Sequence, residues 1–472
     1  MSQGINLDKI VTRGRVVTPS GVVKADVGIR GGKVAAVGAG LAANAAGARL
    51  IDARGCLVLP GVIDAHTHLE LSIGPGLVSC DDFLTGTRAA ARGGVTTIID
   101  FATPARKAGG ETYESMSEAL DARMKLAEGR AMADYSFHVC ITNWESHGRE
   151  MRAIARRGCP TFKMFTIYAD RGLSSDDAAI FRALESARDL GAMITLHAES
   201  PSVLALLVGR MHTRALMKKY GARLHAMTRP NFIEAEAVAR AVCWSRATAC
   251  PLHIVHMSTG EGAEIIGKAQ ARGVRVMAET CPQYLVLDDS VFARRDGHLY
   301  ACSPQVKKPE DSRRLWEGLR DGEIAMLATD TCAFTRSQKA AWNGDFTRIP
   351  MGLPGLETLL PIAYTHGVLK KRLTLERMCA CLSENPARIM GLWPQKGAIA
   401  PGADADIVII DPSKTMRVDA QHMETNAGWS PYQGWELAGF PRVTISRGEV
   451  IVDDYKVIGR EGRGQWLPRR LP

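Results

Sequence analysis

The chain has 472 residues, 46% of them hydrophobic and 23% charged, which excludes a disordered chain and leaves room for one large domain and a smaller one. Its net charge of +9 comes from 59 basic and 50 acidic residues spread without a long basic run, so no nucleic-acid partner is expected. No stretch approaches the apolar length of a membrane span, and the opening MSQGINLDKIV has no basic-then-apolar leader, so a cytoplasmic protein is expected.

The eleven cysteines, Cys56 to Cys381, are unevenly spaced within mostly apolar segments. That pattern reads as free thiols in a reducing compartment, not as a disulfide framework.

In chain order, residues 8 to 55 hold GRVVTP, VVKADVGIRGGKVAAVG and RLIDARG, which read as strands joined by glycine-containing turns. Residues 404 to 453 hold DADIVIID and RVTISRGEVIVDD in the same style. Neither end has enough strands for a stable sheet of its own. Both termini are therefore predicted to pair into one small β-sandwich.

Between them, short β-branched or aliphatic runs alternate with longer segments of helical periodicity. The runs are CLVLPGVIDAH, TTIIDFAT, YSFHVCIT, TFKMFTIY, MITLHAE, LHIVHMS, RVMAETCP and IAMLATDT. Eight alternations over roughly 250 residues are what a β/α barrel requires. The predicted fold is thus α/β: an eight-stranded β/α (TIM-like) barrel over residues 57–394, flanked by a sandwich from residues 1–56 and 395–472, tail included. A doubly wound sheet is the rival, but it would not gather polar residues from nonadjacent strands around one point. Residues 201–249 read as helical, an unusually long excursion for a barrel loop.

The runs end on His66, Asp100, Thr142, Tyr168, Glu199, Ser258, Thr280 and Asp330. In a barrel these C-terminal strand ends form the active site. His66 and His68 share one face of the first strand by alternation. His197 closes the fifth run, His256 lies near the end of the sixth and Asp330 ends the eighth, so five imidazole or carboxylate donors converge at one mouth. That donor set suits zinc or a related divalent ion. A satisfied core histidine explains His197 or His256 singly, but not all five. Lys163, inside the apolar run TFKMFTIY, points inward if Phe162 and Met164 face the helices. A protonated lysine is a poor metal ligand, and a side chain snorkelling to the mouth is the alternative.

The ordered set LPGVIDAHTHLE, DDFLTGTRAAARGGVTTIIDFATP, FKMFTIYAD, LHAES, RPNFIEAEAVAR, VHMSTGEG, AETCPQYLVLDD, ATDTCAF, NPARIMGL and KGAIAPGADADIVIIDP resembles the dihydropyrimidinase and hydantoinase branch of the amidohydrolase superfamily. The resemblance runs over nearly the whole chain. It implies that Lys163 is carboxylated by carbon dioxide and bridges two divalent metal ions, usually zinc. His66, His68 and Asp330 would hold the first ion, His197 and His256 the second. The implied reaction is hydrolytic opening of a dihydropyrimidine or 5-substituted hydantoin ring by a bridging hydroxide. By the same resemblance Asp330 is the general base and Tyr168 the oxyanion donor. Ser303, in YACSPQ, and Met351, in IPMGLPG, fall at substrate-contacting positions. Phe101 and the loop from Leu71 to Leu77 form a hydrophobic lid. Relatives are commonly homo-oligomers, tetramers or dimers, and the tail EGRGQWLPRRLP either joins subunits or frays.

Three departures fall near the expected pocket: Asp330-Thr331-Cys332-Ala333-Phe334 where many relatives read DHCPF, Met351 for an asparagine, and SPQVKK for SPPLR. They leave the substrate open, with allantoin or a cyclic imide as alternatives on the same scaffold. Glu70 stands where dihydroorotases carry an arginine for the substrate carboxylate, which disfavours an acidic substrate. Noncatalytic assembly proteins of the same fold lose metal ligands, whereas all six positions are filled here.

Overall fold

In the computed structural model, which describes residues 6–44, 47–74, 76–107 and 112–471, eight parallel strands form the barrel: β1 (Val62–Thr67), β2 (Val95–Ala102), β3 (Asp134–Cys140), β4 (Thr161–Phe165), β5 (Met193–His197), β6 (Leu252–Ile254), β7 (Val276–Thr280) and β8 (Met326–Leu327). They neighbour one another in chain order from β1 to β8. Buried apolar side chains on both faces, with helices packed outside, give the near-continuous hydrophobic runs that parallel strands need.

The ring closes between β8 and β1 largely through side chains. Asp64 on β1 accepts hydrogen bonds from the Thr329 amide (3.1 Å) and its hydroxyl (2.6 Å), and the His68 amide donates to the Thr331 carbonyl at 2.8 Å. With only two residues in β8, the Asp64 carboxylate substitutes for ladder bonds that this strand is too short to make.

Both termini do enter one nine-stranded sheet. Its first strand, Lys9–Thr18, pairs antiparallel with Gly21–Arg30 on one edge. On the other edge it pairs with Arg49–Asp52 and then Leu57–Pro60. A bulge between Val11 and Gly14 separates these two partners, bending the strand so that the sheet folds over a core of Val11, Val16, Val27, Ile407 and Ile445.

The run CLVLPGVIDAH, predicted as one barrel strand, is two. Leu57–Pro60 pairs antiparallel with Ile407–Ile410 in the terminal sheet, and the barrel begins only at Val62. The chain crosses at Gly61, where a Cβ would sit 2.3 Å from the Thr96 hydroxyl.

The C-terminal tail does not fray. Its backbone pairs with Tyr135 at the N-terminal end of β3, and Arg469 donates to the Ser136 hydroxyl (2.8 Å) and Thr161 hydroxyl (2.7 Å). The tail therefore seals the end of the barrel opposite the mouth. The long excursion after β5 is helical as expected, comprising Pro201–Met211, Arg214–Tyr220, Arg223–Met227 and Phe232–Thr248. Residues 1–5, the first of the N-terminal segment read above, and Pro75, within the expected lid, lie outside the described residues. No helix among the described residues is long and apolar enough to cross a membrane.

Candidate metal centre and binding pocket

The strand ends deliver the donors. Asp100, at the end of β2, accepts from the Thr67 hydroxyl (2.9 Å), the Leu69 amide (2.8 Å) and Arg123 (2.5 Å), fixing the loop that carries His68. His66 Nε2 lies 3.2 Å and His68 Nε2 3.1 Å from the same Asp330 oxygen. One ligand atom from each of these three residues falls within 4.8 Å of the others. The His197 and His256 rings lie 4.5 Å apart, and the His66 and His256 rings 5.4 Å apart.

Tyr168, His256 and Asp330 were expected on strands, but β4, β6 and β8 stop short of them. Each instead has a left-handed backbone, with φ of 70°, 38° and 52°. Non-glycine residues held there cost about 1–3 kcal/mol each and concentrate at functional sites. Here the turn aims each side chain into the mouth.

Lys163 sits in mid-β4 between the buried Phe162 and Met164, and its Nζ is 5.3 Å from the Phe101 ring and 4.9 Å from the Phe165 ring. It is 1% exposed and its Nζ has no hydrogen-bond partner among the described residues. Burial lowers its pKa to about 8, against the opposing pull of Glu279 and Asp330. Among the described residues His66 Nε2 is likewise buried without a hydrogen bond, its 3.2 Å approach to Asp330 being an ion-pair distance only. Orphaned buried polar atoms are rare and call for an explanation. A cation between the imidazoles and Asp330, with Lys163 converted to an anion, would satisfy both, so the residues fit a metal centre.

Two carboxylates that the sequence reading did not single out as ligand supports orient these imidazoles. Glu279 on β7 takes His66 Nδ1 and, at 3.0 Å, His253 Nε2. Glu199 takes His197 Nε2 at 2.9 Å and the Ser303 hydroxyl at 3.1 Å. Burial pushes both carboxyls up, yet the histidines, and Arg229 beside Glu199, outweigh it and leave each below its ordinary value. Ionised carboxylates fix the protonated nitrogen of each ring, leaving His66 Nε2 and His197 Nδ1 as the donor atoms. A charged residue inside a buried strand, the signal that singled out Lys163, was also present at Glu279.

Burial raises the Tyr168 hydroxyl, with Glu199 adding to it, so the phenol stays protonated. Burial raises Asp330 as well, but His66 and His68 bring it below its usual value.

His66, His68, Lys163, Tyr168, His197, His256, Ser303, Asp330 and Met351 all line one cavity of about 760 Å³, together with Phe101, Leu71 and Leu77. Of the three departures, only Met351 among the replaced side chains reaches it. The Thr331 hydroxyl accepts from the Gly355 amide at 2.8 Å. Gln305 and Lys307 both donate to the Arg229 carbonyl, at 2.5 and 3.0 Å. Glu70 lines the mouth but is paired with Arg130 at 3.2 Å.

An eight-stranded β/α barrel with histidines and a carboxylate gathered at its C-terminal mouth is the architecture of a metal-dependent barrel hydrolase. The profile of the Amidohydrolase family matches residues 57–451. A D-hydantoinase of Geobacillus stearothermophilus is 37% identical, over 98% of this chain and 97% of its own. Among solved structures, a dihydropyrimidinase from Brevibacillus agri superposes with a TM-score of 0.92 at 35% identity, covering 98% of both chains. An L-hydantoinase from Arthrobacter aurescens gives 0.88 at 30% identity, covering 98% of this chain and 100% of that one. The chain belongs to the amidohydrolase family, in its dihydropyrimidinase and hydantoinase branch.

Proposed function

We propose that this protein hydrolyses the ring of a cyclic amide, a dihydropyrimidine or a 5-substituted hydantoin. The observation that carries the reading is Lys163, whose buried Nζ has no hydrogen-bond partner among the described residues beside four imidazoles and Asp330 in one cavity. Carboxylated by carbon dioxide, Lys163 would serve two divalent ions, with His66, His68 and Asp330 on one and His197 and His256 on the other; imidazole and carboxylate donors favour zinc. Ions bound there supply Lewis acidity and an acidified water near neutral pH.

The chain's own residues do the rest. Asp330, kept ionised by its histidine neighbours, takes a proton and returns it to the leaving ring nitrogen. Tyr168, kept protonated, donates to the oxygen on which negative charge develops. Ser303 donates a hydrogen bond from its hydroxyl to Glu199, so it turns lone pairs toward a ring N–H. Met351 lines the substrate's side of the cavity. Allantoin and cyclic imides would use the same groups.

A homo-oligomer in the cytoplasm belongs to the same reading. It is supported by the free, mostly buried thiols and by Val203 and Leu206 exposed on the helix Pro201–Met211.

The test is ultraviolet detection of ring opening by zinc-loaded protein prepared with bicarbonate. Dihydrouracil, 5-substituted hydantoins, allantoin and a cyclic imide are compared. Turnover of dihydrouracil or a hydantoin is expected. Two bound ions with every ring left intact would overturn the reading.

A further inference from the structure

The inner wall of the cavity and its outer mouth differ in chemistry. Inside, Phe101, Phe165, Tyr168 and Leu173 pack into one apolar surface. At the mouth, continuous with that surface, the Arg171 guanidinium lies 5.1 Å from the Tyr168 ring centroid. Arg348, three residues before Met351, lines the same cavity. Both arginines are exposed, and neither has a carboxylate within ion-pair distance among the described residues.

The acidic side of the balance is weaker. Among the lining carboxylates, Glu70 is neutralised by Arg130 and Asp330 faces His66 and His68. Asp170 alone faces the mouth without an ion-pair partner among the described residues. Pairing with Arg130 thus weakens the repulsion that Glu70 would exert on an acidic ligand.

We propose that the substrate is a cyclic ureide whose exocyclic arm has an apolar stem and ends in a carboxylate, received at the mouth by Arg171 and Arg348. The proposal rests on the ring-opening reading and narrows it. The stem lies against Phe101, Phe165 and Leu173, and a planar guanidinium already held over the Tyr168 ring pairs with a carboxylate with little further ordering. Position in the mouth leaves the chemistry at the metal centre unchanged and adds discrimination between arms.

The experiment compares kcat/KM of the metal-loaded enzyme for 5-carboxyethylhydantoin and for its carboxamide, which has the same length without the charge. The carboxylate is expected to be preferred by about tenfold at low ionic strength, and the preference should shrink as salt screens an exposed pair. In Arg171→Gln and in Arg348→Gln the ratio of the two kcat/KM values should fall by about threefold to fivefold. Because the readout is a ratio, a general disturbance of the Tyr168 ring cancels from it. A carboxamide opened as well as the carboxylate, or a preference undiminished in both variants, overturns the inference. Turnover of 5-phenylhydantoin or dihydrouracil with the carboxylate refused overturns it while leaving the ring-opening function standing. No ring opened with two ions bound removes both.

Discussion

Glu199 follows His197 by two residues and holds its Nε2 at 2.9 Å, so the imidazole presents Nδ1 to the cavity. The same carboxylate accepts a hydrogen bond from the Ser303 hydroxyl, and Arg229 Nε stands 3.6 Å from its other oxygen. One buried anion thus sets both a proposed metal ligand and a proposed substrate contact. Glu199→Gln keeps the shape but loses the charge, and should cost about 10–100-fold in metal affinity or activity. Zinc content and kcat/KM measured together check this. Full metal loading with wild-type turnover would mean that Glu199 only packs.

Lys163→Ala should lose most of its metal and activity, and a short carboxylic acid such as acetate or propionate should restore part of both by supplying the missing anion. Burial already lowers the amine to about 8, so a neutral, nucleophilic fraction exists near neutral pH to meet carbon dioxide. Metal analysis of the variant is decisive: full occupancy without any added acid would refute the carbamate.

Tyr168→Phe removes a single hydroxyl from a residue whose left-handed backbone is set by the surrounding loop. Turnover should fall by about 10²–10³, the usual cost of one oxyanion donor, with both ions retained. If metal leaves together with activity, Tyr168 supports the centre and does not act on the substrate.

Much of this architecture was legible in the sequence because parallel strands buried on both faces leave apolar runs, and because a charged residue inside such a run stands out, as Lys163 does. What stayed hidden was nonlocal or conformational. Glu279 stands inside the run RVMAETCP, but its partner His66 is 213 residues away. The left-handed turns at His256 and Asp330 leave no mark on composition. CLVLPGVIDAH reads as one strand because Leu57–Pro60 and Val62–Thr67 are both buried throughout, and only the crossing at Gly61 divides them between two sheets.

The junction between sheet and barrel rests on Lys396, which is 1% exposed and whose Nζ lies 2.6 Å from Asp134, 2.9 Å from Asp404 and 2.8 Å from Asp406. Asp134 opens β3, whereas the other two lie just before Ile407–Ile410 of the terminal sheet. Lys396→Met would leave this carboxylate cluster without its central cation, with Arg447 still on Asp134 at 3.0 Å. Removing one partner of a buried ion pair costs about 3–5 kcal/mol. The urea midpoint should drop accordingly, and an unchanged midpoint would show that the cluster contributes no net stability.

A second buried group gives stability a pH dependence. Glu357 is 2% exposed, accepts from the Glu424 amide at 2.5 Å and lies 3.2 Å from Arg92 Nε. Burial nonetheless dominates over Arg92 and raises its carboxyl to about 8, against about 4.3 in an unfolded chain. The fold therefore favours the protonated form. Its contribution is fully present below the unfolded value and is lost as pH rises through the folded one, at no more than about 1.4 kcal/mol per pH unit. Glu357→Gln holds the site neutral at every pH. Between about pH 5 and pH 8 its unfolding free energy should fall less steeply than that of the wild type, so the gap between the two proteins changes with pH. Because the two chains share every other titrating group, that difference isolates this carboxyl. Parallel curves from urea unfolding would mean that Glu357 stays ionised in the fold, held by Arg92 in spite of its burial.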